Sequence, residues 1–302
     1  LKPLHWGASF ALIAAFLFAS KAIFIKQAYA LSPLVNATNL LTLRMLSALP
    51  FFILLIYFAP KHKNNLLLKD WLLLIFAGLL GYYFASWLDF IGLMYISASL
   101  ERIILFLYPT LTVLASTVIF KHKLSLKIWL AILLSYSGTV IVMLAEHQGT
   151  GFGQNIWLGS SLVFASAVAF AAYLLMTPRL IERFGSWRFT GLAMTVACLG
   201  TIVHYMLATP HPITALISLP MAVYGYGIAL GFFVTVLPTI LLMQSIVRIG
   251  PSRAAMIGAG GPIFTIILAV LFLHEQLNGW QWVGCALNIL GVLMVSFSSK
   301  RT

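Results

Sequence analysis

The sequence predicts an all-α polytopic membrane protein, with ten transmembrane helices in two inverted five-helix repeats. Three observations carry that expectation. The 302-residue chain is 62% hydrophobic and only 8% charged, whereas a water-facing domain carries charge on roughly a quarter of its residues. Its basic residues occupy every second gap between apolar segments. Residues 99–142 also align without a gap on residues 252–295, at an offset of 153.

The expected spans are 6–29, 36–58, 70–95, 98–120, 126–145, 156–178, 188–208, 219–245, 252–273 and 279–298. Each is long enough to cross about 30 Å of hydrocarbon as a helix, the form lipid demands because unpaired backbone groups are not tolerated there. Span 1 lacks the cleavage pattern of a signal peptide and reads as a true span. Lys2 precedes it. Lys61, Lys63 and Lys69 join spans 2 and 3, and spans 3 and 4 meet near Tyr95–Ala98 without a polar loop. Lys121, Lys123 and Lys127 join spans 4 and 5, and Arg179, Arg183 and Arg188 join spans 6 and 7. Arg248 and Arg253 join spans 8 and 9, and Lys300 and Arg301 follow span 10. These are fourteen of the eighteen basic residues. The opposite gaps, including Glu146–Asn155 and His274–Asn278, hold none. An excess of Lys and Arg marks the cytoplasmic side, so both termini are expected in the cytoplasm of a bacterial inner membrane. Tryptophans near span ends, such as Trp6, Trp157 and Trp280, suit the interface. A net charge of +12 therefore orients the chain and does not point to nucleic acid. Cys198 and Cys285 fall in apolar stretches and read as buried hydrophobes.

The repeat aligns Pro109 with Pro262, Trp129 with Trp282 and Gly138 with Gly291. Units of five helices enter the membrane from opposite faces, so residues 1–148 and 149–302 form inverted halves. Secondary transporters are often built this way, with the cargo site near the midplane between the halves. No nucleotide-binding G-x-x-x-x-G-K-[ST] occurs, and the seven histidines make no H-E-x-x-H or other metal set. Catalytic residues, metals and cofactors are not expected. Nor does the chain carry the repeated filter of a selective channel.

The segments Leu273-His274-Glu275-Gln276-Leu277, Trp282-Val283-Gly284 and Leu290-Gly291-Val292 resemble the EamA-type branch of the drug/metabolite transporter superfamily, and the resemblance covers nearly the whole chain. It implies ten helices in two EamA repeats, cytoplasmic ends, a cavity lined largely by helices 1, 3, 4, 6, 8 and 9, and secondary transport or export of amino acids, other metabolites, nucleotide-like compounds or drugs. The family glutamate after the fourth helix of each repeat stands here as Glu275, with His122 at the matching place in the first repeat.

Six charges lie inside the spans: Lys21, Lys26, Arg44, Arg102, Asp89 and Glu101. Such residues are costly in hydrocarbon and mark pathways. Lys26 is placed to snorkel to the outer interface. Lys21 and Arg102 are candidates to bind a carboxylate or phosphate, with an acid partner as the competing role for Lys21. Arg44, Asp89 and Glu101 are candidates for an ion pair or for coupling, Arg44 pairing with either acid. Asp89 is open to three roles: pairing a cation, binding an ammonium or carrying a proton. An aromatic and polar wall, including Tyr173, Tyr226, Phe233 and Gln244, is expected from the second half, with plain packing the leading role for each aromatic taken singly. Pro109, Pro238, Gly258 and Pro262 are hinge candidates, because proline frees the carbonyl four residues back. The positive surplus favours an anionic or zwitterionic cargo, with amino acids or related carboxylates ahead of lipophilic drugs and nucleobase-like compounds. Proton coupling, direction and oligomeric state stay open, a monomer included.

Overall fold

The computed structural model describes residues 2–60, 66–120, 125–149 and 155–298. Lys61, Lys63, Lys121, His122, Lys123, Lys300, Arg301 and the glycine turn at 151–153 lie outside them. The described residues form helices and turns. In chain order the helices are α1 (Lys2–Ala19), α2 (Lys21–Leu31), α3 (Ala37–Phe58), α4 (Leu68–Gly78), α5 (Ala85–Gly92), α6 (Ala98–Leu105), α7 (Tyr108–Phe120) and α8 (Leu126–Gly149). Then come α9 (Ile156–Phe184), α10 (Ser186–Ala208), α11 (Pro212–Ile217), α12 (Met221–Gly231), α13 (Leu237–Ile249), α14 (Pro251–Gly258), α15 (Gly261–Leu273) and α16 (Gly279–Ser298). Wider π-helical turns, Leu79–Phe84 and Phe232–Val236, join α4 to α5 and α12 to α13.

Among the described residues, eight helical stretches are long and apolar enough to span a membrane, and Gly261–Leu273 and Gly279–Val295 are shorter apolar helices. Large apolar side chains are exposed around the bundle, among them Leu207 at 83% and Val118 at 79%. In water such a surface would aggregate; facing lipid it is the expected exterior. The protein is an integral membrane protein with multiple spans.

Where sequence reading expects one helix over 98–120 and another over 252–273, the structure breaks both. The first stops at Leu105 and resumes at Tyr108; the second stops at Gly258 and resumes at Gly261. Pro109 and Pro262 therefore stand in the first turn of a new helix, where the missing amide is not needed. Pro238 likewise opens α13 directly after a π-helical turn. There the Thr235 hydroxyl donates to the Leu230 carbonyl at 2.8 Å, satisfying a backbone group that the irregular turn frees. The outer gap at 208–218, expected as a loop, contains the short helix α11 with Pro212 in its first turn.

The helices pack in reciprocal pairs. α8 lies along α16, and α3 along α10. α1 with α13 is matched by α9 with α5, and α2 with α12 by α9 with α4; α1 with α14 and α15 is matched by α9 with α6 and α7. The α8–α16 contact is backbone to backbone: a Cβ on Gly138 would lie 2.5 Å from the Gly284 carbonyl oxygen, and one on Gly291 2.5 Å from that of Ala131. Asn288 stitches this seam, its amide donating to Thr139 Oγ1 at 2.9 Å and to the Ser135 carbonyl at 3.2 Å. Small residues at the contact and a polar side chain across it are how helices associate without a hydrophobic drive. Gly227 and Gly231 pack against Leu43 and Ser47 of α3, so this small-residue step is used inside the bundle.

Candidate functional site: buried charges beneath a carboxylate clamp

The break between α1 and α2 sets Lys21 at the start of α2, facing α5 and α6. Its ammonium donates to Asp89 Oδ2 at 2.6 Å and lies 3.0 Å from Glu101 Oε1. The Asp89 and Glu101 side chains are 3% and 0% exposed. The competing role for Lys21, an acid partner, is thus what the geometry displays, and it takes both acids.

Arg44 does not pair with either acid. Its guanidinium is buried, donates from Nε to Thr235 Oγ1 at 2.8 Å and lies over the Phe90 ring at 5.5 Å. The π-helical turn presents that hydroxyl, so Arg44 bridges the two parts of the bundle through a residue with no charge to betray it. Its Nη1 is buried without a hydrogen-bond partner.

Arg102 follows Glu101 on α6 but points elsewhere, as a 100° step requires. Its guanidinium lies against the α14–α15 break: a Cβ added to Gly261 would be 2.6 Å from Arg102 Nη2. Its Nε is buried without a partner, while the space a Cβ would take at Gly258 is open. A guanidinium has five donors and no acceptor, so an unsatisfied N–H at this position is chemically suited to an anion.

The amino-terminal end of α6 is held from two directions. Ser97 is its cap, the hydroxyl accepting from Leu100 N–H at 3.0 Å. Glu146, at the end of α8, accepts from Ser97 N–H at 2.8 Å and from Ser97 Oγ at 2.6 Å. Glu275 accepts from Ala98 N–H at 2.7 Å, Ser99 N–H at 3.2 Å and Ser99 Oγ at 2.6 Å. His274, in the left-handed region at φ 54°, ends α15 and turns Glu275 back, the Glu275 N–H donating to the Ala269 carbonyl at 3.2 Å. Two carboxylates on the N–H groups of one helix start also complement its dipole. Beside this clamp is a cavity of about 370 Å³ lined by Lys26, Ser97, Glu146, Glu275, Gln276 and Gln281, with Leu273 and Leu277.

Other candidates fall apart from this cluster. Tyr173 is buried, its hydroxyl donating to Tyr82 at 3.1 Å and its ring stacked on Phe170 and Phe189. Tyr226 donates to Gln27 Oε1 at 3.4 Å and meets Phe24 edge-on. Phe233 is 47% exposed beside Phe232. Gln244 is taken by Arg248, one turn on in α13. Sequence reading missed Glu146 as a functional group. It also passed over Asp70, which Arg183 holds at 2.8 Å and which caps Leu67 N–H at 3.1 Å. Glu146 and Glu275 are the acids in the base-free gaps, and that isolation was the available signal.

The chain matches the EamA-like transporter family twice, over residues 5–144 and 157–297. It is 31% identical over 281 residues to the transporter YcbK of Bacillus subtilis (strain 168), covering 92% of this chain and 89% of that one. The transporter YyaM of the same organism is 28% identical over 244 residues, 81% of this chain and 79% of its own. A solved crystal structure superposes over 98% of each chain with a TM-score of 0.61 at 18% identity, a likeness of fold alone. The chain belongs to the EamA-like transporter family, and its activity is that of a membrane transporter, not of an enzyme.

Proposed function

We propose that this transporter is an alternating-access carrier of ten spans in a bacterial inner membrane, built from inverted halves 1–148 and 149–302 with both termini in the cytoplasm. Matched irregularities support the inversion. The π-helical turns start at Leu79 and Phe232, and the helix breaks fall at 106–107 and 259–260; each pair is separated by the 153 residues of the sequence repeat. Irregular backbone at membrane depth is tolerated where it faces protein or a water-filled cavity.

The cargo is a small carboxylate, with amino acids first, moved outward. The observation that carries this reading is Arg102, its Nε buried and unpartnered and its guanidinium set against the helix break at Gly261. Lys21 and Asp89 contribute by shaping the field below it, since the Lys21 ammonium is already engaged. Pro109, Pro238, Gly258 and Pro262 mark the places where the backbone bends during exchange.

Counterflow in proteoliposomes, with amino acids, organic acids, purines and lipophilic cations as trial cargoes, tests the reading. Losing a charge-assisted hydrogen bond worth about 1.5–3 kcal/mol predicts that Arg102→Ala raises the apparent KM for a carboxylate about 10- to 100-fold, with Arg102→Lys between. An unchanged KM in Arg102→Ala contradicts the anion site. Transport confined to lipophilic cations or nucleobases would replace the carboxylate reading with the drug or nucleobase alternative.

A further inference from the structure

The cluster below the clamp holds more negative than positive charge at contact distance. Lys21 stands within 3.0 Å of an oxygen from each of two carboxyl groups, on Asp89 and Glu101. Those two groups are therefore neighbours around one ammonium. An ionised carboxylate only accepts hydrogen bonds, so neither acid can satisfy the other unless one of them carries a proton. No donor among the described residues reaches Asp89 Oδ1 or Glu101 Oε2. With both acids ionised, the three groups would carry an uncompensated negative charge in the bundle interior, a costly state. With one acid protonated, the set is neutral and the second carboxylate has both an ammonium and a hydroxyl to accept from.

The surrounding charges do not replace that proton. Arg44, on α3, directs its guanidinium to Thr235 and Phe90. Tyr29, on α2, donates its hydroxyl to the Phe90 carbonyl at 2.8 Å. Arg102 turns to Gly261, and Lys26 lines the cavity at the clamp.

We propose that Lys21, Asp89 and Glu101 form a binding site for one exchangeable proton, shared between the two carboxyl groups. Binding forms an O–H bond from a solvent proton on a carboxylate oxygen, with no change in oxidation state; release returns the proton to water. Glu101 is the moving half of the site. It lies on α6, whose start Glu146 and Glu275 hold, and it precedes Arg102. A displacement of α6 large enough to free the clamp separates Glu101 from Lys21 and Asp89, exposing the proton while shifting the anion-binding guanidinium. The inference deepens the carrier reading by naming the ion this helix carries.

Infrared difference spectroscopy of the protein in lipid nanodiscs tests it without any cargo. The wild type is expected to show the C=O stretch of a protonated carboxylic acid at neutral pH, shifted in heavy water and titrating as one proton per chain. Glu101→Gln and Asp89→Asn each leave Lys21 with one carboxylate, a pair that needs no proton, so each is expected to lose the band. Absence of the band in the wild type overturns the site whether or not the variants fold. Persistence of the band in both variants assigns the proton elsewhere, to Glu146 or Glu275, and overturns it as well. Neither result touches the carrier reading, which the flux assays decide separately.

Discussion

Lys21→Met is expected to destabilise the protein by about 3–5 kcal/mol, the cost of breaking a buried ion pair by removing one partner. Two carboxyl groups, 3% and 0% exposed, would lose their shared ammonium. In detergent micelles the melting temperature should fall by roughly 5–15 °C, given a few degrees per kcal/mol. Removing an acid as well, in Lys21→Met/Asp89→Asn, leaves Glu101 free to stay protonated and neutral, and the double variant should regain most of the loss. A single variant as stable as the wild type would show that Lys21 is not what balances these acids.

Glu275→Ala is the second substitution with a large expected effect. It removes three hydrogen bonds to the start of α6 and leaves the Ala98 and Ser99 amides to find water or remain unpaired. Charge-assisted bonds at a helix start place the loss at about 2–4 kcal/mol. The more specific consequence is loosening at the clamp. A cysteine at Gln281, which lines the adjoining cavity, should react faster with an impermeant thiol reagent in the Glu275→Ala background than in the parent. Glu275→Gln keeps acceptor capacity at one oxygen and should fall between. Equal labelling rates in all three would separate Glu275 from closure of this end of the bundle.

Much of the architecture was legible because lipid imposes simple rules on sequence. Apolar length marks the membrane-length helices that the structure shows. The prolines flagged irregular backbone correctly in place but not in kind: Pro109 and Pro262 start new helices and do not bend continuous ones. A lone proline in an apolar run does not distinguish these outcomes, since both satisfy the missing amide.

The buried charges were legible as individuals and not as partners. Lys21 and Asp89 are 68 residues apart, so their meeting depends on how α2 packs against α5. Arg44 invited an acidic partner by charge matching. The structure instead offers Thr235, 191 residues away, whose hydroxyl is available because the helix widens there. Glu146 was overlooked because an acid in a short outer gap reads as a solvated end. Its role follows from Ser97 capping the start of α6, where Glu146 accepts from both the Ser97 N–H and its hydroxyl.

An inverted carrier requires that the two halves enter the bilayer from opposite sides. The direct measurement is impermeant-thiol labelling of single cysteines in intact cells, on a Cys198→Ala/Cys285→Ala background. Cysteines at Lys2 and Thr302 should be protected until the membrane is permeabilised, whereas cysteines at Asn155 and Asn278 should label at once. Labelling of one chain end but not the other before permeabilisation would give an odd number of spans and contradict the inverted carrier.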